Sequence, residues 1–349
     1  MKVLAYAAKD ASSPLAPYVY TQRALRDNDV TIEILYCGVC HSDLHQARND
    51  WGGSMYPIVP GHEIVGRVTS IGADVKRFKV GDAVAVGCLV DSCQHCDQCQ
   101  AGDEQFCREG FVGTYNGLDR HTGEVTYGGY AKQIVVREQF VLAVPDGLDL
   151  SRVAPLLCAG ITTYSPLQIW GVRAGSRVGV IGLGGLGHMA VKLAAGLGAE
   201  VTVISRTADK EADAKSLGAH HVLISTDEAA MTKAQSSFDL IIDTVPVRHD
   251  VSIYVPLVDV KGALVIVGQL GQIEELSTVP IVMGRRTLAG SLIGGIAQTQ
   301  ELLDFCAKEQ ILPKCEMIRM DQINEAFDRM ERSDVRYRFV IDMASLTEA

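Results

Sequence analysis

Four cysteines lie close together in the segment DSCQHCDQCQAGDEQFC, residues 91–107. They are Cys93, Cys96, Cys99 and Cys107, with the spacing Cys-x2-Cys-x2-Cys-x7-Cys. The short gaps let neighbouring thiolates converge on one ion, and the longer arm can return the fourth thiolate to it. Four sulfurs complete a tetrahedron and leave no open position, so the spacing predicts a structural zinc site.

Two other interpretations of this segment stay open. Iron–sulfur ligation of the bacterial ferredoxin type has a three-residue last gap followed by proline, whereas Arg108 follows Cys107 here. Surface thiols without a ligand are the other alternative, although cysteines at this density are more typical of metal binding. His95 lies in the same segment, and we expect it to be solvated because four thiolates already complete the site.

Three further residues have the chemistry of a catalytic metal site. Cys40 lies in YCGVCHSDLH, His62 in VPGHEIVG and Cys158 in APLLCAGITTYSP. Two thiolates and a neutral imidazole cancel the charge of a zinc ion and leave a fourth position for a substrate oxygen. Glu63 directly follows His62. This set indicates a zinc ion that acts on a substrate.

A glycine-rich turn occurs in RVGVIGLGGLGHMAVKLAAGLGA, where an apolar strand at 178–181 leads into a helical pattern. In a dinucleotide-binding turn the first glycine makes the tight bend, the second lets the backbone approach a pyrophosphate, and the third allows close packing of helix on strand. The residues expected to bind the dinucleotide are Gly182, Leu183, Gly184, Gly185, Leu186 and Gly187. A glycine-rich turn without a ligand is the alternative.

Two kinds of structure must position these residues. After the glycine turn, apolar segments alternate with helical stretches, which predicts a doubly wound parallel sheet. The strand candidates are VTVIS (201–205), HVLIS (221–225), FDLIIDTV (238–245), ALVIVG (263–268) and TLAGSL (287–292). Residues 1 to about 150 carry short extended runs punctuated by Gly and Pro, typical of a compact β-rich domain. The tail shows helical segments and a last strand, RYRFVID.

Composition argues against several classes of function. The 349 residues suffice for two domains, and a net charge of −10 disfavours a nucleic-acid partner because phosphate binding needs a basic face. No charge-free apolar run reaches the roughly 18 residues of a membrane span. Lys9 and Asp10 interrupt the first apolar stretch, so no signal peptide is expected. Ten cysteines are then typical of reduced thiols, and a cytoplasmic location is expected.

Several motifs together resemble one enzyme family. CGVCHSDLH, YPIVPGHEIVGRV, CAGITTYSPL, GLGGLGHMAVK and IIDTVPV, with the four-cysteine segment, are similar to those of zinc-containing medium-chain alcohol dehydrogenases. The likeness is greatest to the cinnamyl alcohol dehydrogenase branch and its microbial aldehyde reductases. Two cysteines and one histidine are also the ligand set known for alcohol dehydrogenase zinc. The resemblance implies an α/β protein, with a GroES-like β-rich catalytic domain at 1–152 and 295–349 and a Rossmann domain at 153–294.

The resemblance also assigns roles around the second metal site. Cys40, His62 and Cys158 correspond to the catalytic zinc ligands. Glu63 corresponds to an acid that lies close to the metal or replaces the ligand at the open position.

Three residues after Cys40 correspond to groups that move or orient protons. Ser42 stands where the family places the hydroxyl that relays the alcohol proton, and His45, within the same helical turn, is the next step. Asp43 is expected to accept a hydrogen bond from His62 and orient it. A Ser-Asp pair at a helix start often serves only as an N-cap, which is the alternative for Asp43.

A preference for NADPH is expected from the end of the strand VTVIS. An NAD site normally has Asp or Glu about twenty residues after the first glycine, but here Ser205 and Arg206 stand there and Lys210 follows. A 2′-phosphate would be paired by these groups and repelled by an acid. The alternative is a solvated helix start. Further cofactor-binding residues implied by the resemblance are Thr162, Thr244, Gly268, Ser291, Leu292 and Ile293.

The implied function is reversible, NADPH-linked reduction of aromatic or medium-chain apolar aldehydes to primary alcohols, with two zinc ions per chain. A polyol or secondary-alcohol dehydrogenase of the same superfamily is the alternative. A catalytically silent zinc-and-nucleotide binder is the alternative from another class. Trp51 and Leu292 are expected in the substrate pocket, unless Trp51 packs in the core. A homodimer is expected, with TLAGSL paired to its symmetry mate.

The other cysteines and most other histidines have no partners in the sequence pattern. Isolated buried cysteines are commonly unreactive. We expect inert core thiols at Cys37, Cys88, Cys306 and Cys315, and structural or solvent-facing side chains at His188, His220, His221 and His249.

Overall fold

The chain divides into two compact units. The computed structural model describes residues 1–268, 271–273 and 276–347. The first unit comprises Met1–Cys158 and Gly294–Ala349, and the second comprises Ala159–Ile293. This division lies close to the predicted domain limits at 152/153 and 294/295.

The first unit is rich in strands, as the short extended runs predict. Its strands, numbered along the whole chain, are β1 (Lys2–Ala7), β2 (Ala16–Thr21), β3 (Asp29–Val39), β4 (Ile64–Ile71), β5 (Ala83–Val86), β6 (Leu89–Asp91), β7 (Val112–Gly113), β8 (Gln133–Arg137), β9 (Leu142–Ala143), β16 (Cys315–Arg319) and β17 (Arg338–Asp342). Its helices are α1 (His41–Ala47), α2 (Asp97–Gln100), α3 (Leu150–Val153), α9 (Ile296–Glu309) and α10 (Ile323–Glu331).

Strand β3 is central to the seven-stranded sheet of this unit, whose order is β16-β17-β3-β4-β5-β9 with β8 also paired to β3. Its sequence DVTIEILYCGV is rich in β-branched and aromatic residues, which pack well on a pleated surface. β3 runs antiparallel to both β4 and β17, so a strand from the end of the chain lies beside one near its start. This arrangement brings distant parts of the sequence to one end of the sheet.

The second unit is a six-stranded parallel sheet with helices. Its strands are β10 (Arg177–Ile181), β11 (Glu200–Ser205), β12 (His221–Ile224), β13 (Phe238–Asp243), β14 (Val258–Ile266) and β15 (Thr287–Gly290). Its helices are α4 (Ala159–Ile169), α5 (Gly187–Gly196), α6 (Glu211–Ser216), α7 (Glu228–Lys233) and α8 (Val279–Gly284). The order β12-β11-β10-β13-β14-β15, with every pair parallel, is the Rossmann arrangement. The predicted α/β fold with a doubly wound sheet is confirmed.

The sequence does not predict strand β16. Its residues CEMIR include two charged side chains among five, and in the structure only Ile318 is buried. β16 forms because β17 offers it a parallel edge, which is a tertiary effect. Across the described residues, none of the helices combines the length and apolarity needed to cross a bilayer.

Candidate active site and cofactor-binding residues

Four side chains converge on one buried point of the first unit. The ligand atoms of Cys40, His62, Glu63 and Cys158 all lie within 4.8 Å of one another. Cys40 Sγ and Cys158 Sγ are 3.9 Å apart. Two thiolates of a tetrahedral zinc, each at roughly 2.3 Å from the metal, are about 3.8 Å apart. The donor set and its spacing therefore fit a zinc ion.

The sheet and one helix bring these ligands together. Cys40 is the N-cap residue of α1, directly after β3. His62 and Glu63 precede β4, and because β4 runs antiparallel to β3 they lie at the same end of the sheet. Cys158 follows a short 3-10 turn at Ala154–Leu157. The predicted ligands are thus assembled from three separate parts of the chain.

Asp43 accepts hydrogen bonds behind this cluster and is completely buried. Its Oδ1 accepts from the Gly61 N–H at 3.0 Å and lies 3.1 Å from His62 Nδ1. Its Oδ2 accepts from the Cys40 N–H at 2.9 Å and from the Tyr130 hydroxyl at 3.2 Å. A proton on Nδ1 directed at Asp43 leaves the His62 Nε2 lone pair for a metal. Asp43 therefore makes the contact expected of a helix-capping residue, with the Cys40 N–H, and the contact expected of a residue that orients His62.

A buried ion pair joins Glu63 to Arg338, a residue of β17 that the sequence motifs do not single out. β3 lies between the two, since Gly38 pairs with Val340 of β17 and donates its N–H to the Glu63 carbonyl oxygen. A Cβ atom at Gly38 would overlap the Glu63 carboxylate, so glycine lets this side chain cross the strand. The sequence could have indicated this pair, because an arginine within the apolar strand RFVID is a charge that is rarely buried unless paired.

The charges around the cluster favour a thiolate. A hydrogen bond from Cys158 lowers the pKa of the Cys40 thiol well below its usual range, with help from the Arg338 guanidinium. Burial raises the pKa of the Glu63 carboxyl to about 7, although Arg338 opposes that rise. Cys88 lies near the cluster: its Sγ is 3.6 Å from the Leu157 carbonyl oxygen, and an interaction with the Cys158 thiol lowers the pKa of the Cys88 thiol. A thiolate is the form of cysteine that binds metals.

Ser42 and His45 lie on α1 beside the cluster. Ser42 Oγ is 3.6 Å from Cys40 Sγ. His45 Nδ1 lies 2.8 Å from Asp50 Oδ2, and the His45 ring is 5.2 Å from that of Trp51. Trp51 is 44 % exposed, so the alternative in which it packs in the core is wrong. The exposed Asp50, which the sequence motifs do not indicate, thus contacts the partly exposed His45.

The four cysteines of residues 91–107 form a second cluster, with all four Sγ atoms within 4.8 Å of one another. Cys93 Sγ and Cys99 Sγ are 3.8 Å apart, again the edge of a zinc tetrahedron. The Cys96 N–H donates to Cys93 Sγ at 3.3 Å. The Arg108 N–H donates to Cys96 Sγ and lowers the pKa of that thiol to about 6. His95 is mostly exposed, as expected. The cluster fits a closed, structural zinc site.

The glycine-rich turn of the second unit has the backbone expected of each glycine. Gly182 has a φ of 85°, a left-handed conformation that favours glycine. A Cβ atom on Gly187 would overlap the Gly182 carbonyl oxygen, so α5 packs directly on the strand end. Around a Cβ built on Gly184, no described atom beyond its chain neighbours lies within 4 Å, which leaves room for a phosphate. Leu183 is buried, whereas Gly185 and Leu186 are half-buried. The turn therefore fits a dinucleotide pyrophosphate.

Most other predicted cofactor residues lie at the carboxyl ends of the parallel strands, where ligands of such sheets bind. Ser205 ends β11, Thr244 directly follows β13, and Gly268 and Ser291 come shortly after β14 and β15. Leu292 and Ile293 follow Ser291, and Leu292 is 48 % exposed. Thr162 is buried on α4.

The two basic residues of the predicted NADPH site are exposed near the same strand ends. Arg206 follows β11, and Thr226 Oγ1 donates to its carbonyl oxygen at 3.1 Å. Lys210 Nζ lies 3.5 Å from the Leu183 carbonyl oxygen, which places its ammonium group at the glycine-rich turn. The turn and the two cations thus belong to one face of the second unit.

Known proteins match the whole chain. The alcohol dehydrogenase GroES-like domain matches residues 26–146, and the zinc-binding dehydrogenase family matches residues 185–308. NADP-dependent alcohol dehydrogenase C 1 of Mycolicibacterium smegmatis is 52% identical over 345 residues, 99% of each chain. Aldehyde reductase YahK of Escherichia coli is 49% identical over 350 residues, with both chains covered completely.

A solved structure extends this likeness to the fold. Cinnamyl alcohol dehydrogenase of Sorghum bicolor is 45% identical, with a TM-score of 0.96 and complete coverage of both chains. The chain also carries both cysteine clusters and the glycine-rich turn, in the same order along the sequence as in the family. The chain therefore belongs to the zinc-containing medium-chain alcohol dehydrogenases, in the branch of cinnamyl alcohol dehydrogenases and NADP-dependent aldehyde reductases.

Proposed function

We propose that this protein catalyses reversible, NADPH-linked reduction of apolar or aromatic aldehydes to primary alcohols at a zinc ion. The observation that carries the proposal is the buried cluster of Cys40, His62 and Cys158, whose spacing fits one zinc ion. The names of its relatives, an NADP-dependent alcohol dehydrogenase and an aldehyde reductase, support the same chemistry.

Cys40, His62 and Cys158 would hold this zinc ion. Glu63, the fourth member of the cluster, pairs with Arg338 through Oε1, and its buried Oε2 has no hydrogen-bond partner among the described residues. Zinc bound there supplies a Lewis acid that polarises a carbonyl oxygen. Asp43 keeps the His62 imidazole in the orientation that binds the metal.

Reduction of a carbonyl needs a hydride at carbon and a proton at oxygen. NADPH supplies the hydride. The Ser42 hydroxyl, beside Cys40 on α1, donates the proton to the substrate oxygen. His45 then returns a proton to the Ser42 oxygen. Asp50 contacts His45 Nδ1, so His45 Nε2 is the nitrogen that exchanges the proton with Ser42. Trp51, whose ring lies 5.2 Å from that of His45, gives the substrate side chain an aromatic surface.

The second unit binds the cofactor. The backbone of the glycine-rich turn approaches the pyrophosphate, and the 2′-phosphate is held by Ser205, Arg206 and Lys210. An acid is absent from the end of β11, where NAD enzymes bind the ribose hydroxyls. The polar and apolar groups at the other strand ends, from Thr244 to Ile293, complete the cofactor site together with Thr162.

Three further properties belong to this proposal. The four-cysteine cluster binds a second, structural zinc ion, giving two zinc ions per chain. The ten cysteines suit the reducing cytoplasm. The protein forms a homodimer through the edge strand β15 and helix α8, because Val279, Val282 and Met283 expose apolar side chains there at 65%, 74% and 80%.

A substrate panel tests the proposed function. Aromatic, medium-chain and short aldehydes, a polyol and a secondary alcohol are assayed at fixed NADPH or NADP concentration. We expect kcat/KM to be highest for the apolar aldehydes and to fall to background in Ser42→Ala. A preference for the polyol or the secondary alcohol would favour the other branch of the superfamily. Absence of turnover with every substrate, in protein that holds zinc, would contradict an enzymatic role.

A further inference from the structure

A histidine and a buried carboxylate meet at the carboxyl end of β13. Asp243 is the last residue of this strand and is completely buried. Nε2 of His249, in the loop that follows, lies 3.1 Å from Asp243 Oδ2. Neither atom makes a hydrogen bond of good geometry with any described residue, so the contact between them is one of ion-pair distance. His249 thus lies beside a buried carboxylate, a neighbour that the sequence pattern does not show.

The loop that carries His249 is held at both of its ends. Near its start, the Val245 N–H donates to Asp243 Oδ1 at 3.1 Å. Near its end, Val251 and Tyr254 are buried in the apolar core of the second unit. His249 lies between these two anchors, so its contact with Asp243 decides whether the middle of the loop stays on the strand end.

Both ring nitrogens of His249 face oxygen acceptors. Nδ1 lies 2.9 Å from the Val247 carbonyl oxygen, and Nε2 faces the Asp243 carboxylate. A neutral imidazole carries a single N–H, so it satisfies one acceptor and turns a lone pair towards the other. Both contacts are satisfied only when the pair holds one more proton, on the imidazole or on the carboxyl. Burial raises the pKa of the Asp243 carboxyl, which favours retention of that proton.

The same strand end carries residues proposed to bind the cofactor. Thr244 directly follows Asp243, and the Gly268 N–H donates to the Asp243 carbonyl oxygen at 3.2 Å. The Val245 side chain reaches Gly182, where a Cβ atom would come within 2.9 Å of it. A shift of the loop would therefore change the surroundings of the glycine-rich turn.

Few other charged or titratable groups face this pair. The Tyr254 ring lies 6.0 Å from the His249 ring, and burial raises the pKa of Tyr254. Asp250 and Arg206, which follows β11, act on Tyr254 electrostatically. Arg248 is adjacent to His249 in the chain. The nearby His249 opposes the effect of burial on the pKa of the Asp243 carboxyl.

We propose that Asp243 and His249 form a proton-holding pair that positions the loop 244–254 for NADPH binding and releases it as the pH rises. The closed pair holds one proton more than a separate neutral imidazole and carboxylate, so proton loss favours the open arrangement. His249 is thus a positioning residue, and this inference rests on the proposed NADPH-dependent function.

The test measures NADPH dissociation constants by fluorescence titration from about pH 5.5 to about pH 9.5, which brackets the ordinary imidazole pKa. In the wild type we expect the affinity to fall about three- to tenfold on the alkaline side, the size of one lost hydrogen bond. His249→Gln offers Asp243 a permanent N–H, so it should keep the neutral affinity and lose most of this fall. His249→Ala should bind weakly already at neutral pH. His221→Gln, an exposed histidine paired with Glu200 in the same unit, is the matched control and should behave as wild type.

Amide hydrogen exchange of loop 244–254 in the cofactor-free protein is the second readout. Comparison at each pH with His249→Gln removes the intrinsic pH dependence of exchange. The wild-type loop should exchange faster than that of His249→Gln only at alkaline pH, and the His249→Ala loop at every pH. If wild type binds NADPH but His249→Gln retains the full alkaline loss of affinity and shows wild-type exchange, the inference is overturned. If wild type does not bind NADPH, the proposed function fails, and the exchange comparison still decides whether the pair holds the loop.

Discussion

Arg338, on the last strand of the chain, forms a buried ion pair with Glu63, the neighbour of the metal ligand His62. The pair crosses β3 at Gly38, where no side chain blocks it. Removal of one member of a buried pair leaves an uncompensated charge, which costs more than the pair as a whole contributes. The metal site and the carboxyl-terminal strand therefore depend on each other.

Replacement of this arginine should destabilise the first unit. We expect Arg338→Met to lower the free energy of unfolding by about 3–5 kcal/mol, because the Glu63 carboxylate loses its buried partner. Arg319→Met, which removes an exposed pair with Asp321, is the control and should cost at most about 1 kcal/mol. Urea denaturation of both variants measures the difference. Equal effects would show that the Glu63–Arg338 pair contributes no more than a surface contact.

The two cysteine clusters should bind zinc with separable roles. Metal analysis of the wild type is expected to find two zinc ions per chain. Cys158→Ser should abolish turnover and leave the fold largely intact, whereas Cys99→Ser should lower stability and expression. Cys306→Ser, at a buried position of α9 outside both clusters, should retain both ions. Abundant iron, a ratio near one zinc per chain, or full activity in Cys158→Ser would contradict the assignment.

The end of β11 should set the cofactor preference. Two charge-assisted hydrogen bonds to the 2′-phosphate, each worth roughly 1.5–3 kcal/mol, predict about a hundredfold or greater preference for NADPH in kcat/KM. Ser205→Asp combined with Arg206→Ala should reduce or reverse this ratio, because a carboxylate repels the phosphate. Lys215→Ala, which removes an exposed lysine paired with Glu211 on α6, is the control. A wild type that uses NADH equally well, or a ratio unchanged in the double variant, would refute the assignment.

The exposed apolar side chains of α8 should lie in the homodimer interface. Val282→Asp introduces a charge there and should shift the protein towards monomer at micromolar concentration, as measured by light scattering. Ile169→Asp changes another exposed apolar side chain, on α4, and should leave the dimer intact. A wild type that is monomeric at this concentration would remove the proposed interface.

Acid should weaken the first unit partly through Asp119. Burial alone would raise the pKa of this carboxyl, but a hydrogen bond from Arg26 at 2.8 Å and the N–H groups of His121 and Thr122 hold it well below its usual value. The resulting stability is present above the ordinary Asp pKa of about 3.9 and is lost as the pH falls through the lower folded value.

Asp119→Asn should therefore lower the unfolding free energy at pH 7 and flatten its decline below about pH 4. Urea denaturation across this range measures both effects. Asp146→Asn, at an exposed carboxylate, is the control and should follow the wild-type curve. A decline in Asp119→Asn as steep as that of the wild type would show that Asp119 does not contribute to acid sensitivity.

The sequence alone determined the features whose groups lie close along the chain. The spacing of Cys93 to Cys107 indicates one tetrahedral site because the short gaps let neighbouring thiolates converge on one ion and the longer arm can return the fourth. The glycine-rich turn is recognisable because each glycine answers a local backbone requirement between a strand and a helix. Long apolar runs predicted the parallel strands of the second unit, since strands buried on both faces lack polar positions.

Only the tertiary structure decided which distant side chains meet. Glu63 and Arg338 are 275 positions apart, and their contact depends on the pairing of β17 with β3 and on the absence of a side chain at Gly38. His249 reaches Asp243 because the loop after β13 folds back over its own strand end. Such contacts are set by strand order, loop path and rotamer, and no spacing along the chain encodes them.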